Sequence, residues 1–139
     1  MEFLGKKSGA LSGAPSAASR PLTTKQQGDA AEDASLRHLQ AAGLKLLERN
    51  YRTPGRGGAE IDLILRERDG TVVFVEVRQR TSASHGGAAA SVSTLKQRRI
   101  IFAARHYLMR LRTPPPCRFD VVLVEPAGVV WLKAAFDAG

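Results

Sequence analysis

The sequence predicts an α/β fold: a mixed β-sheet flanked by helices, in the order α-β-β-β-α-β-β. Three observations lead there. The run Thr71-Val72-Val73-Phe74-Val75-Glu76-Val77 is β-branched and almost wholly apolar, as in a central strand buried on both faces. Two other stretches carry apolar residues at helical spacing. Turn residues, Asp69-Gly70 and Pro126-Ala127-Gly128, divide the remaining apolar runs into hairpins.

Residues 1–24 read as a disordered tail rich in Gly, Ser, Ala and Pro, too poor in large apolar groups to offset its ordering entropy. The folded domain is expected at 25–139. Ala30, Ala34, Leu36, Leu39 and Ala42 define the first helix, which Gly43 stops. Asp29, Glu32 and Asp33 sit in its early turns, where the helix dipole favours acids. Leu44 to Tyr51 reads as a strand, and 53–58 as a loop. Glu60 to Glu67 and Thr71 to Arg78 are the next two strands. A Gly-rich loop over 82–90 leads into a helix over 93–112, capped by Ser91 or Ser93, with Ile101, Ala104, Leu108 and Leu111 facing inward. Pro114-Pro115-Pro116 ends it. Phe119 to Val124 and Val129 to Leu132 are the last strands.

The chain carries a net charge of +8 over 139 residues, which points to an anionic partner. No run of about 18 apolar residues exists to span a membrane. No apolar stretch resembles a signal peptide, so a cytoplasmic location is expected. The lone Cys117 cannot form an internal disulfide and reads as a structural residue at a strand start. From Arg78 to Arg118 there are nine Lys and Arg and no Asp or Glu. A merely solvated helix face usually interleaves acids. The reading favoured here is a phosphate-facing surface built from Arg78, Arg80, Lys96, Arg98, Arg99 and Arg105, with nucleic acid as partner and DNA ahead of RNA.

The chemistry is placed in the central hairpin. Asp62 stands among apolar neighbours in one strand and Glu76 in the most hydrophobic strand of the chain. Buried carboxylates need a partner or a metal. A three-residue loop, Arg68-Asp69-Gly70, sets Ile64 against Phe74, Asp62 against Glu76 and Glu60 against Arg78. A two-residue loop would split the acids between faces. Facing carboxylates need a proton or cation between them, and their hard oxygens suit Mg²⁺ or Mn²⁺. The other reading is a salt-bridge cluster in which Arg78 and Arg80 neutralise Glu60, Asp62 and Glu76.

Asp62, thirteen residues, then Glu76-Val77-Arg78 resembles the D…(D/E)-x-K signature of the restriction-endonuclease-like nuclease superfamily. The segments Gly28-Asp29-Ala30-Ala31-Glu32, Glu48-Arg49-Asn50-Tyr51-Arg52, Glu60-Ile61-Asp62-Leu63-Ile64, Val73 to Arg80 and Arg118-Phe119-Asp120-Val121-Val122 resemble the YraN family of bacterial proteins, predicted nucleases similar to archaeal Holliday-junction resolvases. The resemblance implies a restriction-endonuclease-like core. It makes Asp62 and Glu76 the metal ligands, Glu32 an acid completing the site, and Arg78 the occupant of the signature lysine position. Lys96 and Arg99 fall where the family also carries basic residues. Arginine stays protonated, so Arg78 cannot serve as general base, though it can hold a phosphate oxygen.

The expected function is therefore a Mg²⁺-dependent endonuclease acting on DNA, with branched or junction DNA as the narrower candidate. Catalytic roles fall to Asp62, Glu76, Arg78 and Glu32, with Glu60, Gln79 and His85 in support. A symmetric junction would suit a homodimer. Two other classes compete: a non-catalytic nucleic-acid-binding protein using the basic helix, and an accessory protein of a ribonucleoprotein. Trp131, Phe136, Tyr51 and Tyr107 are too scattered for a base-stacking platform.

Overall fold

The structure is a computed structural model that describes residues 20–80 and 92–138. Most of the expected tail, the Gly-rich loop with His85, and Ser91 lie outside the described residues. The elements are α1 (Thr24–Ala41), β1 (Lys45–Arg52), β2 (Glu60–Arg66), β3 (Val72–Gln79), α2 (Thr94–Leu108), β4 (Cys117–Glu125) and β5 (Gly128–Phe136). This is the predicted order. No helix among the described residues is long and apolar enough to cross a membrane.

The five strands form one mixed sheet in the order β1-β2-β3-β4-β5. Only β3 and β4 run parallel, with Phe74 opposite Phe119 and Glu76 opposite Val121. The other neighbours are antiparallel. The apolar run of β3 is central, as expected, and Val72 to Glu76 are all buried.

Alternate residues of these strands feed two cores. On one face Ile64, Phe74, Phe119, Val121 and Leu123 pack under Ile100, Ala103, Ala104 and Tyr107 of α2. Phe119 stacks between Phe74 and Phe136, with centroids 5.5 and 5.1 Å away. On the other, Leu63, Leu65, Val73, Val75 and Val122 pack with Leu39 and Leu44.

Each helix buries part of the expected stripe: Leu39 and Ala104 are buried, and Leu36, Ile101 and Leu108 pack partly against the two cores, but the rest of each buried face is shifted. α1 turns Ala31, Ser35 and Leu39 inward, while Ala30 and Ala42 are exposed. α2 buries Ile100, Ala103, Ala104 and Tyr107, while Leu111 lies beyond its end and is exposed. Small residues and an amphipathic Tyr line these faces, so Ala and Ser fit close against the sheet where a count of large apolar residues misses them. No acid occupies the first turn of α1. Its end is closed by a capping box: the Thr23 hydroxyl accepts the Gln26 amide at 3.1 Å, and the Gln26 side chain accepts the Thr23 amide at 2.9 Å. α2 stops at Leu108 rather than 112, and Ser93 caps it by accepting the Lys96 amide. β5 runs on to Phe136, four residues past its expected end.

Candidate functional site

The site begins with the hairpin register. The Glu67 amide donates to the Thr71 carbonyl at 2.8 Å, and the Gly70 amide to the Glu67 carbonyl at 3.0 Å. Gly70 takes φ 95°, a left-handed conformation that glycine accepts without a steric penalty. This is the three-residue loop expected from the sequence. The ladder runs from Arg66↔Val72 to Leu63↔Val75, including Ile64↔Phe74. Counted one residue on from its last pair, it sets Asp62 against Glu76.

The backbone pairing alternates, so the next ladder bond would join the Val77 amide to Ile61. Instead Val77 donates to Oδ2 of Asp62 at 2.8 Å. The Asp62 carboxyl is pushed up to about 8, first by burial, then by the negative charge of Glu76. A hydrogen bond shared with Glu76 and the charge of Glu32 add to the rise, while the Val77 amide opposes it. Glu76 is itself buried, and Oε2 lies 3.3 Å from the Lys96 ammonium on the first turn of α2.

Glu32 reaches this end of the sheet from α1, close enough for its charge to act on Asp62. It is held by two β1 residues that the sequence reading assigned no role. Arg49 Nε donates to Oε1 at 3.2 Å, and Asn50 Nδ2 donates to both oxygens at 3.1 and 3.2 Å. Asn50 adopts φ 53°, which aims its amide at the helix. Asparagine is the residue other than glycine that tolerates this region best, and that tolerance was the available signal. Arg49 also pairs with Asp33 at 2.7 Å.

The remaining predicted residues sort as follows. Arg78 and Gln79 line an open hollow of about 520 Å³ together with Glu76, Val77, Ser93 and Lys96. Arg80 follows β3, its amide bonded to Val124 at 2.9 Å. Glu60 is paired with Arg52 of β1 at 3.5 Å. Arg98, Arg99 and Arg105 are exposed along α2 and, among the described residues, make no ion pair. Cys117 opens β4 and is exposed. Tyr51 and Tyr107 are core residues in edge contact, 5.3 Å between centroids.

Among the described residues, no three or more His, Cys, Asp or Glu gather closely enough to hold a metal ion by themselves. The available hard donors are the Asp62–Glu76 pair. One or two carboxylates, with water and substrate phosphate oxygens, are what Mg²⁺ commonly takes.

A second buried acid escaped notice. Asp120 is fully buried in β4 and accepts four hydrogen bonds. Arg118 approaches with Nε at 2.9 Å and Nη2 at 3.0 Å, Trp131 Nε1 at 2.8 Å, and the Ala134 amide at 2.9 Å. Ala134 takes φ 50° where β5 bulges opposite Asp120. Arg118 also pairs with Glu67 at 2.7 Å. This carboxylate is fully engaged and ties β4 to β5 and to the hairpin.

Fold and site together define a small α/β protein: one mixed five-stranded sheet, a helix on each face, and facing carboxylates where the central hairpin's ladder ends. Residues 31–124 match the model described as "Uncharacterised protein family UPF0102", the YraN family, and the chain belongs to that family. A UPF0102 protein of Albidiferax ferrireducens is 76% identical over 116 residues, covering 84% of this chain and 91% of the relative. One from Paracidovorax citrulli is 68% identical over 125 residues, covering 90% and 93%. One from an Acidovorax species is 62% identical over 138 residues, covering 99% of both chains. The likeness to a solved structure, that of SSO0001, is slight: TM-score 0.39 and 14% identity, over 80% of this chain and 52% of that one.

Proposed function

We propose that this protein is a metal-dependent phosphodiesterase acting on DNA. The observation that carries the reading is the Asp62–Glu76 pair, with the Asp62 carboxyl raised to about 8 by burial and by its neighbour's charge. Such a pair gains most from a cation placed between its oxygens. Asp62 and Glu76 would hold Mg²⁺ or Mn²⁺, and Glu32 stands near enough to assist through its charge. A bound divalent ion would supply an activated water and offset charge at phosphorus.

The chain's own residues fit the remaining tasks. Arg78 and Lys96 border the same hollow as Glu76 and can each hold a phosphate oxygen. Arg78 keeps its proton, so it stabilises negative charge and removes none. Arg98, Arg99 and Arg105 extend the positive surface along α2 for the flanking backbone. Restriction-endonuclease-like kinship, from the Asp62…Glu76-Val77-Arg78 pattern, supports the same reading.

The test pairs binding with cleavage. Calorimetric titration with Mg²⁺ and Mn²⁺ is run on the wild type, Asp62→Ala and Glu76→Ala. Single-stranded, duplex, flap and four-way DNA are then screened for cleavage. Binding and cleavage lost in both variants, with DNA affinity equal or higher, is the expected result. No divalent binding at millimolar concentration would overturn the proposal.

A further inference from the structure

Three large apolar side chains stand out of α2 into solvent: Leu95 is 64% exposed, Phe102 60% and Met109 79%. Leu95 and Phe102 lie on α2, and Met109 is its C-terminal cap. They recur every seven residues, so they share one line on the helix, about 21 Å long at 1.5 Å per residue. At 100° per residue, Arg98 and Arg105 fall on one flank of this line and Arg99 on the other. The buried residues Ile100, Ala103, Ala104 and Tyr107 occupy the opposite side. The outer face of α2 is thus an apolar stripe between exposed guanidiniums, and a core role accounts for none of it.

The occupant of such a face must be anionic and must also offer apolar surface. A second copy of the same face would set arginines against arginines, and residues 78–118 contain no acid to separate them. An unpaired nucleic-acid strand has both properties: phosphates for the arginines and base faces for the ring. In a duplex the base faces are covered by their stacked neighbours, leaving nothing for Phe102 to cover. The stripe starts at the same end of α2 as the candidate site, since Leu95 shares the first turn with Lys96, whose ammonium lies 3.3 Å from Glu76.

We infer that the outer face of α2 is a platform for single-stranded DNA, with Phe102 stacking on an unpaired base and Arg98, Arg99 and Arg105 holding its phosphates. The inference rests on the nucleic-acid reading above and narrows it to substrates with an unpaired strand beside the cleavage position.

Fluorescence anisotropy tests it on the full chain without divalent ions, using an unstructured single strand and the matching duplex. Phe102→Ala should weaken single-strand binding by about fivefold or more while duplex affinity stays within about twofold, the loss of one stacked base. Phe102→Trp should restore the affinity. The salt slope should be the same in all three proteins, since no charge changes. Equal loss on both DNAs, or no loss, overturns the inference. So does loss of self-association in Phe102→Ala, or of binding to anionic phospholipid vesicles, with oligonucleotide binding intact. Wild-type binding to duplex with no single-strand effect overturns the inference alone. Binding to neither DNA overturns the nucleic-acid reading as well.

Discussion

Lys96 places its ammonium 3.3 Å from Oε2 of Glu76, so one of the two facing carboxylates already has a cation from the chain beside it. Lys96 is half-exposed and Glu76 buried, which makes the lysine the partner that can swing away. A divalent ion entering between Asp62 and Glu76, as proposed, would compete with this ammonium. Lys96→Gln is therefore expected to bind Mg²⁺ more tightly than the wild type. It is also expected to cleave more slowly, by about 10²-fold, as when one charge-stabilising donor is removed. Calorimetry and single-turnover rates measure the two effects separately. Unchanged metal affinity would show that the pair plays no part at the metal position.

The Asp62 carboxyl sets a pH dependence of stability. Its folded value, about 8, is above the ordinary 3.8, so between these values the native state holds a proton that the unfolded chain has lost. Stability from this group is complete below about pH 4 and declines as pH rises toward 8. Asp62→Asn removes the titration. The variant should melt higher than the wild type at pH 8, and the gap should shrink at pH 5. Equal gaps at both values would contradict a raised Asp62.

Under the proposed metal reading, the same proton would couple to metal. Mg²⁺ binding below pH 8 must displace it, so affinity should rise with pH up to that point and protons should be released. Titrations in two buffers of different ionisation enthalpy count them. A release near zero at pH 6.5 would rule out Asp62 as the ligand.

Asn50 offers a backbone test. It combines φ 53° with two hydrogen bonds to Glu32. Asn50→Gly keeps the conformation and loses the bonds, whereas Asn50→Ala loses both. Alanine should be the less stable by about 1 kcal/mol, the cost of a left-handed residue with a Cβ. Denaturant unfolding of the two variants measures that difference.

Asp120→Ala should be the severe substitution. It takes two hydrogen bonds from the Arg118 guanidinium, which keeps its pair with Glu67, and orphans Trp131 Nε1–H and the Ala134 amide. Breaking a buried pair from one side costs about 3–5 kcal/mol. Whatever folds should still bind Mg²⁺ at the wild-type stoichiometry, since Asp120 serves the β4–β5 tie.

The sequence made the hairpin legible because turn chemistry and alternation agreed on one register: Gly70 at the left-handed position, Ile64 against Phe74. From that register the juxtaposition of Asp62 and Glu76 followed by counting. The helix faces were legible only in part: Leu39 and Ala104 face inward as expected, whereas Ala31, Ser35 and Ala103 weigh little in a hydrophobic pattern but pack closest to the sheet. Asp120 and Asn50 were hidden for another reason. Their distant partners come from β5 and α1, and both sites depend on backbone irregularities that leave no periodic trace. Phe102 lies within a helix whose apolar residues include buried ones, and nothing in the pattern alone sets it on the outside.

The chain has one tryptophan, and its indole is the donor that reaches Asp120 from β5. Lys133 lies 4.4 Å over its ring, His38 of α1 meets it edge-on, and it packs on the α1 side of the sheet, away from α2. The protein therefore carries its own optical gauge. Its emission should report whether β5 is fastened to β4, and a DNA strand bound at the proposed platform on the other face would leave that reading undisturbed.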